Sequence, residues 1–192
     1  MCLRVFVVQR FYTFCNTPAL RWNEHHRPHE KAKSMNYLQY YPIDVVNGEG
    51  TRCTLFVSGC EHRCKGCHNA TSRDARMGIS FDQAMADRII ADLGDSRIKR
   101  DGLSLSGGDP LFPGNLSGIL KLVQRVKAEY PQKNIWLWTG YTLEELSQAQ
   151  QEVLQYIDVL IDGRFELDKR DLSLPWRGSI NQRIININKV IF

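Results

Sequence analysis

The chain has 192 residues, 43% apolar and 24% charged, an ordinary globular balance with enough length for one domain and a real core. No apolar run approaches the ~18 residues of a membrane helix, and Val5–Val8 is too short for the core of a secretion signal. The net charge of +4 comes from residues 1–34, with six Lys/Arg against two Asp/Glu; residues 35–192 hold nineteen of each, so nothing recommends a nucleic-acid surface.

Residues 1–34 are rich in Arg, His and aromatics and sustain neither a period of 2 nor one of 3.6. They are expected to be a disordered or spurious extension, with Met35 opening a single domain, 35–192. Thr51–Ser58 reads as a β-branched, apolar strand ended by Gly59. Ser80 is the expected N-cap of a helix beginning at Phe81, with Ala84, Ala86, Ile89, Ile90 and Leu93 at helical spacing and Gly94 as its C-cap. Gly102–Leu105 is a short strand running into Ser106-Gly107-Gly108-Asp109-Pro110. Leu116–Tyr130 is an amphipathic helix stopped by Pro131. Ile135–Trp138 is a strand, and Thr142 with Glu145 forms a capping box for the next helix. Asp158–Ile161 is a buried strand, and Ile180–Ile187 alternates like another. Strand, loop and helix repeated about four times imply parallel strands, too few for a closed eight-fold barrel. An open, partial α/β barrel is the natural size match. In such sheets chemistry gathers at the carboxyl ends of the strands, where the cysteine loop, the Gly-Gly-Asp turn and the Trp-Thr-Gly-Tyr turn all fall.

Six cysteines without a secretion signal point to a reducing cytoplasm rather than to disulfides. Cys53 lies in a strand pattern and reads as a small buried hydrophobe. Cys60, Cys64 and Cys67 form Cys-x3-Cys-x2-Cys just after an apolar run. Three thiolates hold a four-iron cluster and leave one iron without a protein ligand, able to bind a second molecule. A zinc site completed by His62 or His68 is the alternative. Zinc sites favour two ligand pairs split by a longer spacer, and all three thiols here are bunched, so the cluster reading outweighs it.

The cysteine motif resembles the signature of the radical S-adenosylmethionine enzymes, and Ser106–Pro110 resembles their Gly-Gly-Glu-type motif. Together with Val46–Arg52, Cys64–Asn69, Trp138–Tyr141 and Trp176–Ser179, it resembles the activases of anaerobic ribonucleoside-triphosphate reductase, from about Met35 to about Gln182. Gly66, where most of the superfamily carries an aromatic residue, fits that narrower family; Glu49, in place of the Pro of its Gly-Pro-Gly turn, departs from it. The resemblance implies one [4Fe-4S] cluster on Cys60, Cys64 and Cys67, with S-adenosylmethionine on the open iron. It implies cofactor contacts from Gly66, Cys67 and His68, and from Gly107 and Gly108, whose missing side chains admit the backbone close to the ligand. Asp109 is placed to accept from the ligand's ammonium. Tyr141, Trp176 and Arg177 line the site or an interface, or simply pack.

The implied activity is an oxidoreductase reaction. The cofactor is cleaved by one electron, and a 5′-deoxyadenosyl radical takes a hydrogen from a glycine on the large subunit of anaerobic ribonucleotide reductase. A flavodoxin or ferredoxin-type protein would donate the electron; no nucleic acid or membrane is involved. The rivals are activation of another glycyl-radical enzyme, such as pyruvate formate-lyase, and a non-catalytic zinc-binding interaction module.

Overall fold

Alternation along four strands decides the architecture. The structure, a computed structural model, describes residues 35–187, so the expectations about 1–34, and about the chain past Ile187, lie outside the described residues. Strands β1 (Asn36–Asp44), β2 (Arg52–Val57), β3 (Ile79–Ser80), β4 (Gly102–Gly107), β5 (Asn134–Trp138), β6 (Val159–Asp162) and β7 (Arg183–Asn186) form one sheet among the described residues, in the order β3-β1-β2-β4-β5-β6-β7. The central run β2-β4-β5-β6 is parallel. Helices α1 (Gln83–Gly94), α2 (Leu116–Glu129) and α3 (Gln148–Leu154) fall between its strands in the chain.

Every second strand residue joins the core with the helices. Cys53, Leu55 and Val57, Leu103 and Leu105, Ile135 and Leu137, and Leu160 pack with Ile89, Leu93, Ile119, Leu122, Val123, Val126 and Val153. The intervening residues form the opposite face. There Arg52 lies in register with Gly102 and Gly102 with Asn134, and Thr54 with Ser104 and Ser104 with Trp136. Arg52 is fully buried. It donates to Ser104 Oγ (2.6 Å), Asn134 Oδ1 (2.6 Å) and the carbonyl of Leu103 (2.8 Å), and its guanidinium lies 5.3 Å from the Trp136 ring centroid. A Cβ on Gly102 would come within 3.0 Å of that guanidinium and nearer still to the Asn134 carbonyl, so only glycine leaves room for the arginine.

The sheet is an open, partial barrel, with parallel strands confined to its centre. At one edge β1 runs antiparallel to β2 and carries β3; at the other β7 runs antiparallel to β6. The parallel reading therefore does not extend to the tail, whose strand is Arg183–Asn186. Two helix starts also differ from expectation. Ser80 belongs to β3, paired with Asn36, and Asp82 caps α1 by accepting from the Met85 amide (2.9 Å). The Thr142–Glu145 box caps only a 3₁₀ turn, Leu143–Glu145. Leu146, extended and buried, breaks the chain there, and α3 starts afresh with Ser147 and Gln150 as its own box.

Candidate active site

All four parallel strands end at one rim. β2 runs through Ser58 and Gly59 into the cysteine loop; β4 ends at Gly107, β5 at Trp138, just before Thr139-Gly140, and β6 at Asp162, just before Gly163. Gly59, Gly107 and Gly163 have φ of 98°, 105° and 95°, where other residues are strained. The loops are tied to each other by backbone. The Gly108 amide donates to Val57 O (2.7 Å) and the Asp109 amide to Gly59 O (2.7 Å). A 3₁₀ turn, Ala70–Arg73, returns beneath the cysteine loop and accepts from the amides of Gly59 and Cys60 through Ser72 O (2.7 Å) and Arg73 O (3.1 Å). A Cβ on Gly108 would sit 2.5 Å from Gly59 O, so the glycine turn can approach the cysteine loop only without side chains.

The result is a cavity of about 200 Å³ lined by Cys60, Cys64, Cys67, His68, Gly107 and Gly108, with Trp138, Thr139, Gly140, Phe165 and Gln182 closing it. Burial, foremost, pushes the Cys60 thiol up to about 11; a group that binds there as a cation offsets that desolvation. Among the described residues, one set of three ligand atoms gathers within 4.8 Å: Cys60, His62 and Asp109. Cys64 and Cys67 are not in it, whereas three thiolates on a single tetrahedral zinc would stand ~3.8 Å apart. Three thiols around a wider cavity, walled on the far side by side-chain-free Gly107 and Gly108, fit a cluster that carries a second ligand.

Asp109 does not line the cavity. Its side chain is 1% exposed, and its bonds are internal. Oδ2 lies 2.7 Å from His62 Nε2 and accepts from Thr139 Oγ1 (2.9 Å) and the Gly140 amide (2.9 Å), while Oδ1 accepts from the Leu111 amide (2.8 Å). Gly66, with φ 74°, lies against Leu167, outside the cavity wall. Tyr141 is one shell out: its ring meets His62 edge-on at 4.4 Å and its hydroxyl donates to Glu61 Oε1 (2.5 Å). Burial first, and then Glu61, raises the pKa of that phenol. Trp176 and Arg177 brace the last loop. Trp176 packs on Trp136 (4.9 Å) and accepts from Trp138 Nε1 through its carbonyl (2.7 Å), and Arg177 donates to Gln182 O (3.0 Å).

His62 and Asn69 also line the cavity. The sequence offers His62 only as a zinc ligand, Asn69 and Thr139 only as members of longer motifs, and Phe165 and Gln182 by no signal.

Residues 46–185 match the family described as a 4Fe-4S single cluster domain. The chain is 65% identical over 150 residues to the anaerobic ribonucleoside-triphosphate reductase-activating protein of Vibrio cholerae, covering 78% of this chain and 97% of that one. It is 62% identical to the protein of that name from Escherichia coli K12 over 148 residues, 77% and 96% of the two chains. With the protein of that name from Enterobacteria phage T4, identity is 48% over 150 residues, 78% and 93%.

Proposed function

The chain belongs to the family of anaerobic ribonucleoside-triphosphate reductase-activating proteins, and on that premise we propose that it installs a glycyl radical on the large subunit of an anaerobic ribonucleotide reductase. The observation that carries this reading is that three cysteines and a Gly-Gly turn from separate strands share one cavity at the carboxyl rim of the sheet. When bound, a [4Fe-4S] cluster and S-adenosylmethionine supply the one-electron cleavage and the 5′-deoxyadenosyl radical that takes hydrogen from glycine.

The chain's own residues hold, orient and shield. Cys60, Cys64 and Cys67 ligate the cluster. The backbone of Cys67 and His68 on one side, and of Gly107 and Gly108 on the other, brackets the S-adenosylmethionine. Trp138 and Phe165 present apolar walls that exclude water from the reacting end. Residues 35–192 form the working domain, and the electron comes from a flavodoxin or ferredoxin-type protein. No helix among the described residues is long and apolar enough to cross a membrane; reduced thiol ligands suit the cytoplasm.

The test is anaerobic reconstitution followed by addition of S-adenosylmethionine, reductant and the reductase. About four iron and four sulfide per chain, release of methionine and 5′-deoxyadenosine, and a glycyl-radical signal on the reductase are expected. One tightly held zinc without visible absorption would end this reading. A radical that formed on pyruvate formate-lyase and not on the reductase would redirect it.

A further inference from the structure

The cysteine loop has two faces. The inner one is the cavity at the strand ends. On the outer side Cys60 also borders a recess of about 390 Å³, whose other walls are Arg63, Arg73 and Asp74. If the inner cavity holds S-adenosylmethionine and a glycine loop, as the proposed function requires, it leaves no path for a third molecule. Electron transfer weakens steeply with distance, so a reductant needs another close approach to the cluster ligands. The outer recess offers one at Cys60.

The charge there is lopsided. Arg63 and Lys65 are exposed on the loop tip and enter no ion pair among the described residues. Arg73 donates to the Cys64 carbonyl (2.6 Å), and its Nε, buried, has no partner. Asp74 receives the Arg76 guanidinium on both oxygens (3.0 and 2.7 Å), whereas Glu61 accepts from the neutral Tyr141 hydroxyl and keeps its charge, one carboxylate against the three cations. Arg63 also has φ 51°, an uncommon conformation for a side-chain-bearing residue, kept where the surroundings or the function hold it.

We propose that this outer face, carrying Arg63, Lys65 and Arg73, docks an acidic one-electron carrier protein that reduces the cluster; the proposal rests on the activase reading. The reduced carrier loses one electron and the oxidised cluster gains it, with no bond made or broken. Complementary charge speeds such an encounter by ~10–1,000-fold and is screened by salt.

The experiment uses the reconstituted protein, reduced flavodoxin as the probe, and the double variant Arg63→Glu, Lys65→Glu. Stopped-flow bleaching of the cluster by flavodoxin is expected to slow at least ~10-fold at low salt and to lose its salt dependence. Iron content, S-adenosylmethionine binding and bleaching by dithionite should stay within about twofold, since neither side chain touches the cavity. Independently of turnover, carbodiimide cross-linking should join Lys65 to a flavodoxin carboxylate. Equal flavodoxin rates in variant and parent, with no such cross-link, would overturn the proposal. So would normal flavodoxin rates with a lower radical yield under dithionite, which would make this the reductase's docking face. If the parent protein binds no cluster, or dithionite drives no cleavage, the activase reading itself falls, and this proposal with it.

Discussion

Asp109 holds together three stretches of chain: the cysteine loop through His62, the β5 turn through Thr139 and Gly140, and its own turn through Leu111. Removing its carboxylate leaves several buried donors without acceptors, each worth ~1–3 kcal/mol. Asp109→Ala is therefore expected to destabilise the apo protein by about 2–4 kcal/mol in urea unfolding. Thr139→Val, which deletes one donor, should cost about 1 kcal/mol. If Asp109 acts as a brace, both variants weaken S-adenosylmethionine binding. A loss confined to Asp109→Ala, with Thr139→Val at parental affinity, would instead make Asp109 a direct ligand. For the thiols, alanine at Cys60, Cys64 or Cys67 should abolish iron retention. Cys53→Ser should keep full iron content, because Cys53 is fully buried among core side chains; iron analysis after gel filtration separates the two classes. The cysteines were legible in the sequence because their spacing is local. The brace was not, because its members lie 47 residues before Asp109 and 30 after it, and only the sheet brings them together.

Elements show the same division between local and distant causes. α2 was readable because Ile119, Leu120, Leu122, Val123 and Val126 repeat at helical spacing; four of the five are buried and Leu120 is half-buried against the same core. α1 was readable, but its first residue was not: Ser80 and Asp82 are both good caps, and pairing of Ser80 with Asn36 across β3 and β1 decides between them. Asp82→Ala should thus cost about 1 kcal/mol and shorten α1 at its start; thermal unfolding of the variant checks the assignment. β1 escaped the sequence reading because its tyrosines do not alternate cleanly with polar residues and Pro42 argues against a strand. Among the described residues β3 pairs only with Asn36 and Tyr37, and a register shift against β2 falls between Tyr41 and Asp44, so the ladder accommodates that proline. The other edge, β7, is fixed by Arg183, which bonds Asp162 and Glu144 together. The Arg183 hydrogen bonds hold the Glu144 carboxyl down at about 2, against 4.5 ordinarily. A depressed carboxyl contributes its stability above the unfolded value and loses it as the folded one is approached. The protection of the Ile184–Asn186 amides, taken relative to the intrinsic exchange rate at each pH, should fall as the pH drops from about 4.5 towards 2, and Arg183→Ala should remove that dependence. A protection factor in the parent protein that does not change with pH would show that the ion pair does not secure β7.

At the scale of the molecule, every residue of the cavity lies between Cys60 and Gln182, and the family match spans residues 46–185. A chain starting at Met35 keeps the Met35 side chain in the core and its carbonyl on the Phe81 amide (2.8 Å). It is expected to match the full chain in cluster content, solubility and rate of reductase activation at moderate salt. A large drop in radical yield with the cluster intact would mean that residues 1–34 serve as a docking arm. The central parallel strands were legible from strand–helix alternation. The antiparallel edges were not, because edge direction depends on which neighbour a strand meets in space. Those edges set the final property of the fold. A sheet that stops before it curls round on itself is a container with a side missing, and on the proposed function the reductase's glycine loop is what closes it. Order of assembly then becomes part of the chemistry: the loop has to arrive before the electron, because a carbon radical with no glycine beside it takes hydrogen from whatever C–H or S–H group lies nearest.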